Sequence, residues 1–146
     1  MHTHKRGKSH SKRPSISELT TSLPPEEIKK KIIELAEAGN PPSLIGIILR
    51  DKYGVPLVKR ALGKTITEVL REQGIAPSLP EDLANLIKHA VKVKKHIDIH
   101  RKDYSSLRGL QLLESKIRRL AKYYKRTGKL PLDWNYERDK AELLLR

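Results

Sequence analysis

At 146 residues with a formal net charge of +14, the chain has room for one ordinary domain or two small ones, and its charge favours polyanionic partners. It holds no cysteine, which excludes disulfides and thiolate metal sites, and no apolar run approaches the roughly 18 residues that a membrane span requires. The N-terminus is basic but lacks the apolar stretch of a secretory signal, so these bounds predict a cytosolic protein that touches nucleic acid.

The charge is segregated along the chain. Residues 1–13 carry five Lys or Arg and no acid, residues 14–87 net −1, residues 88–126 net +10, and residues 127–146 balance. Solubility alone would not require that arrangement. The opening stretch, with Lys5, Arg6, Lys8, Lys12 and Arg13, has no apolar side chain after Met1. It is expected to form a basic arm over residues 1–22, disordered when free and ordered against phosphates when bound.

Ordered structure is predicted to start after Pro24-Pro25. Ile28, Ile32, Leu35 and Ala36 recur at helical spacing, and Gly39 can cap the helix in a left-handed conformation. A second helix is expected from Ser43 to Tyr53, with Leu44, Ile47 and Ile48 facing inward and Gly54 ending it. A third starts at the Thr65-x-x-Glu68 capping box and stops at Gly74. Val55-Pro56-Leu57 and Leu62-Gly63 read as connections, which gives a bundle of three short helices over residues 23–74. Gly74 to Pro80, with two prolines and one glycine in seven residues, reads as a linker.

Beyond it the pattern lengthens. Leu83, Leu86, Ile87, Ala90, Val93 and Ile97 predict one long helix from Glu81 to about His100. Leu110, Leu113, Ile117, Leu120 and Tyr124 predict a second, with the alternating 3 and 4 spacing of a helix packed lengthwise on another. A short turn between them makes an antiparallel hairpin, with most bases of residues 88–126 outside it. Gly128 and Pro131 end the second helix. Asp133 to Arg146, with Trp134, Ala141, Leu144 and Leu145, reads as a short terminal helix folding back. The fold class is all-α, with residues 75–146 forming the hairpin domain.

The turn of the hairpin carries the densest chemistry. His96 and His100 are four apart and Asp103 continues their face, while Asp103 or Ser106 can cap the following helix. Small polar groups at a tight corner suit base edges and 2′-hydroxyls, and Arg101, Lys102 and Arg108 suit phosphates. A His-x-x-x-His pair with a carboxylate could bind zinc. Ile97 stands where the metalloprotease pattern has glutamate, however, and the surrounding lysines repel a dication. Nothing supplies a nucleophile, an oxyanion hole or an apolar pocket, so no catalytic residue, metal or cofactor is assigned. Solvated histidines with Asp103 acting only as a cap are the plainer alternative. A helix-turn-helix reading of Ser43–Gly74 as a DNA binder is weakened by the acidic balance of that stretch. An interaction module docking an acidic partner is a third reading.

His100-Arg101-Lys102-Asp103 followed by Ser106-Leu107-Arg108-Gly109-Leu110 resembles the signature of the universal S-fifteen family of small-subunit ribosomal proteins. Lys116-Ile117-Arg118-Arg119-Leu120 with Tyr123 and Tyr124 resembles its continuation. Thr127-Gly128-Lys129-Leu130-Pro131, Trp134, Leu49-Arg50-Asp51-Lys52-Tyr53-Gly54 and the tail around Gly7-Lys8-Ser9 resemble the archaeal and eukaryotic branch. The resemblance spans nearly the whole chain. Tyr104 and Ser105 stand where bacterial members usually carry histidines, and Leu107 replaces a usual basic residue.

The resemblance implies a non-enzymatic constituent of the small subunit that binds and stabilises central-domain rRNA during assembly and translation. It places the protein as a monomer within the cytoplasmic ribosome, with neighbouring ribosomal proteins as further partners and no membrane. It implies that His96, His100, Asp103 and Ser106 read the shallow minor groove of an rRNA helix, with Arg108 and Gly109 beside them and Tyr123 near an rRNA junction. Arg101, Lys102, Arg118 and Arg119 complete the expected RNA-binding set, together with the arm.

Overall fold

Proline at the first helical position costs no hydrogen bond, and the chain uses it twice: α1 (Pro25–Glu37) and α2 (Pro42–Tyr53) each begin on one. The computed structural model describes residues 23–138 and 140–145. Among them all regular structure is helical. The chain divides between Ala76 and Pro77 into two units, each with its own core.

In the first unit α3 (Val58–Leu62) and α4 (Ile66–Glu72) join α1 and α2. Ile28, Ile32, Ile45, Leu49, Val55, Val58, Val69 and Leu70 form its core. Two expectations need correcting. The stretch between Leu57 and Gly63 is a fourth helix of one turn, so the described bundle has four short helices and not three. The inward face of α2 is Ile45 and Leu49, whereas Leu44 and Ile47 are exposed and Ile48 is half-buried. Leu44-Ile45-Gly46-Ile47-Ile48-Leu49 is apolar all round, so its periodicity cannot choose a face. Packing chooses it: a Cβ added at Gly46 would meet Ile66 of α4 at 3.4 Å. The Thr65 capping box is complete, with Thr65 Oγ1 accepting from the Glu68 N–H at 3.3 Å and Glu68 Oε2 from the Thr65 N–H at 2.7 Å.

The second unit is built on α5 (Glu81–Ile99) and α6 (Tyr104–Arg126), packed along each other. At 1.5 Å per residue they are roughly 28 and 34 Å long. Leu79, Leu83, Ile87, Ala90, Leu110, Ile117, Tyr124, Leu130 and Ala141 are buried between them and the terminal segment. The open end of the hairpin is pinned by the Tyr124 hydroxyl, which donates to the Asp82 carboxylate at 2.7 and 2.6 Å from its two oxygens. Burial, with Asp82 adding to it, pushes the Tyr124 phenol up to about 12. Gly128, at φ 70, then turns the chain off α6, and the Lys129 N–H closes the helix end on the Tyr124 carbonyl at 2.9 Å.

The terminal segment is not the predicted helix. Among its described residues the only regular structure is a 3-10 turn at Leu143–Leu145. Trp134 and Tyr136 both pack on the hairpin core. The chain carrying these two anchors runs through a turn and irregular backbone, with no helix over residues 131–137. A third anchor is ionic. Glu114 sits on the inner face of α6 at 5% exposure and accepts from Arg138 Nε at 2.6 Å and Nη2 at 2.9 Å.

The Arg138 guanidinium holds the Glu114 carboxyl below its ordinary 4.5. A depressed carboxyl contributes stability that is fully present above the unfolded value and lost as pH falls through the folded one. The terminal segment should therefore release on acidification below about pH 4.5, read as a change in Trp134 fluorescence. Arg138→Ala should cost about 2 kcal/mol, because it strands a buried carboxylate. Arg138→Ala should also remove most of that acid transition.

Candidate nucleic-acid interface

The turn of the hairpin is organised by one carboxylate. α5 ends at Ile99, and His100 leaves helical geometry while its N–H still reaches the His96 carbonyl at 2.8 Å. Asp103 is the N-cap of α6 and accepts from the Ser106 N–H at 3.0 Å. Its oxygens also accept from the Ser106 hydroxyl at 2.6 Å, the Ser105 hydroxyl at 2.6 Å and His96 Nε2 at 3.0 Å. The two seryl hydroxyls, the Ser106 N–H and His96 together hold the Asp103 carboxyl well below the usual carboxylate range.

That network orients its neighbours. An ionised Asp103 can only accept, so His96 carries its proton on Nε2, and in the neutral ring Nδ1 is left as an acceptor. The His100 ring lies 4.5 Å from His96, tilted by 42°. Ser105 and Ser106 spend their protons on Asp103 and present oxygen lone pairs outward. Half-exposed acceptors side by side can take hydrogen bonds from a 2′-hydroxyl or a guanine amino group.

Cations surround this acceptor cluster. Arg101, Lys102 and Arg108 are exposed on the turn and the first turns of α6. Gly109 sits within α6, and a Cβ added there would meet nothing within 4 Å. The helix would be firmer with alanine, by about 1 kcal/mol. Among the described residues no packing demand explains glycine at that position.

The structure thus brings together His96, His100, Asp103 and Ser106, with Arg101, Lys102, Arg108 and Gly109 around them. Arg118, Arg119 and Tyr123 lie elsewhere. They are exposed 15 to 20 residues further along α6, roughly 22–30 Å from Asp103. The Tyr123 ring has the Arg126 guanidinium over it at 5.9 Å. Lys5, Arg6, Lys8, Lys12 and Arg13 lie outside the described residues. Ser105 was not in the expected set. Its signal in the sequence is the Asp-x-Ser-Ser spacing of a capped helix start, in which both hydroxyls can turn back on the cap. Among the described residues no group of three or more His, Cys, Asp or Glu is arranged to hold a metal ion.

The family model described as ribosomal protein S15 matches residues 65–144, and the ribosomal S13/S15 N-terminal domain matches residues 1–55. The small ribosomal subunit protein uS15 of Hyperthermus butylicus is 54% identical over 143 residues, covering 97% of this chain and 89% of that protein.

Proposed function

The chain belongs to the ribosomal protein S15 family and is a non-enzymatic protein of the small ribosomal subunit in the cytoplasm, and from that premise we propose that it binds and stabilises folded rRNA of the central domain through the hairpin turn. The observation that carries this reading is the Asp103 network, which fixes hydroxyl and imidazole acceptors in one exposed cluster ringed by cations. Phosphate contacts from Arg101, Lys102 and Arg108 supply affinity and position. The acceptors supply register, by hydrogen bonds across a shallow minor groove. Arg118, Arg119 and Tyr123 extend the contact along α6, and the basic arm adds phosphate contacts. Neighbouring ribosomal proteins are the other partners in this reading, and the protein is one copy per subunit.

Binding of labelled small-subunit rRNA, competed with an unrelated RNA duplex and with plasmid DNA in moderate salt, tests the proposal. The rRNA should resist both competitors, and removing exterior lysines of the hairpin should flatten the salt dependence. Equal competition by the unrelated duplex would leave only non-specific charge attraction. Gly109→Ala offers a sharper check, because its two effects have opposite signs. It should raise the stability of the C-terminal unit by about 0.5–1 kcal/mol, since the added methyl is unopposed within the protein. It should also weaken rRNA binding, because that methyl occupies space needed for close approach of the RNA. A variant both firmer and tighter-binding would show that the RNA does not approach the backbone at Gly109.

A further inference from the structure

A cleft of about 190 Å³ opens between α6 and the terminal segment, away from the hairpin turn. Arg118, Lys122 and Lys125 come into it from α6, and Trp134, Asn135 and Tyr136 from the terminal segment. Ala121, nearly fully buried, forms part of its floor. Trp134 and Tyr136, on irregular backbone, give the cleft two aromatic side chains, both only half-buried. Lys125 Nζ reaches Asn135 Oδ1 at 3.5 Å, so the cleft's two sides meet there and the Asn135 amide N–H groups are left as donors.

Among the described residues no acidic side chain lines it. Of the acids nearest in sequence to its walls, Glu137 pairs with Lys140 at 2.8 Å, Asp133 is exposed just before Trp134, and Glu114 is held by Arg138 while lying 4.0 Å from Arg118 Nη2. Three cations, two aromatic side chains and an amide in one open cleft match a flat π-system attached to an anion. A smooth duplex fits poorly, because its bases are stacked within and only its phosphates could enter.

We infer that this cleft takes a single unpaired nucleotide of RNA, its base against Trp134 and Tyr136 and its flanking phosphates against Arg118, Lys122 and Lys125. The choice of RNA rests on the reading of the chain as an RNA-binding protein, but the cleft does not depend on what the turn recognises. Trp134, Asn135, Tyr136, Lys122 and Lys125 are not needed for minor-groove reading at the turn, and Arg118 is shared only as a phosphate contact. The base is held by stacking and by the Asn135 amide, which tolerates more than one base identity.

Trp134 is the chain's single tryptophan and so reports on the cleft directly. Titrating the full chain with single-stranded hexauridylate or hexaadenylate should quench its fluorescence saturably. A blunt RNA duplex of the same length, at the same salt, should not. Trp134→Leu, which keeps an apolar filler against the core, should weaken binding of a labelled hexamer by about tenfold in anisotropy. Lys122→Glu, an exposed position independent of core packing, should weaken it in the same direction if Trp134→Leu disturbs folding.

Asp103→Ala should bind the hexamer as the unaltered chain does. Equal quenching by the blunt duplex, by an acidic peptide or by inorganic phosphate would overturn the proposal. Absence of quenching while the rRNA fragment still binds would overturn it too and leave the reading of the turn untouched. Loss of both kinds of binding would overturn both.

Discussion

Asp103→Ala is expected to weaken binding of the cognate rRNA fragment by about 1–3 kcal/mol, the scale of a lost specific contact. The substitution removes no cation, so the salt dependence should keep its slope while the affinity drops at every salt concentration. What it removes is the acceptor that fixes His96, Ser105 and Ser106. Without it those groups rotate freely, and their hydrogen bonds must be organised at the moment of binding. The same carboxylate caps α6, so alanine also costs about 1 kcal/mol of helix stability. Asp103→Asn separates the two effects. Asparagine is an equally good cap, and its single carbonyl oxygen can still accept from the Ser106 N–H. Its amide nitrogen cannot accept from His96 or Ser106 Oγ as the carboxylate does. Stability near that of the unaltered chain with rRNA binding still reduced is the expected pattern, measured by denaturation and by anisotropy in parallel. If both variants bound as tightly as the unaltered chain, the cluster would be a helix cap and nothing more.

The largest effect on stability is expected from Ile117→Ala. Ile117 is fully buried midway along α6, in the core shared with Leu83, Ile87 and Ala90 of α5. Removing three carbons there loses transfer free energy and leaves a cavity that two straight helices cannot close. The expected cost is about 3–4 kcal/mol. For a unit of this size that corresponds to a fall of roughly 12–30 °C in Tm. Trp134 lies in the same unit, so its fluorescence follows this loss separately from any unfolding of residues 23–76. Leu112→Ala, on the exposed side of the same helix, is the matched control and should change Tm by little. Unlike the Asp103 variants, Ile117→Ala should lose rRNA binding only where it loses structure.

How far the sequence carried the fold depends on whether a signal is local. Pro25, Gly39, the Thr65–Glu68 box and Gly74 mark helix ends by conformational rules that hold within a single turn, and the observed ends follow them. The long helices were legible for a different reason. An apolar stripe repeating over five turns, with bases on the remaining faces, has one way to bury itself. The Leu44–Leu49 run failed because it has no polar face, and only packing against α1 and α4 selects Ile45 and Leu49. The fourth short helix failed because one turn carries no period.

At the site the same division holds. The residue types around His100–Gly109 gave the expectation of an RNA-facing turn, but did not show that one carboxylate would take four hydrogen bonds and thereby set the polarity of its neighbours. Glu114 reads in the sequence as one more charged residue beside Ser115 and Lys116. Its burial depends on Arg138, twenty-four residues away. The aromatic cleft was invisible for the same reason, since it exists only where Trp134 and Tyr136 fold back beside α6.

Composition, charge segregation and helical period determined by themselves that this is an all-helical chain with its excess of bases gathered in residues 1–13 and in one hairpin. Those properties are sums over residues or repeats between near neighbours, and no partner is needed to define them. The tertiary structure alone decided which face of α2 is inside, that the terminal segment is irregular and not one helix, and which lone pairs the turn presents. Each of these is set by a contact between residues distant in sequence, and local preference leaves both outcomes open at nearly equal free energy.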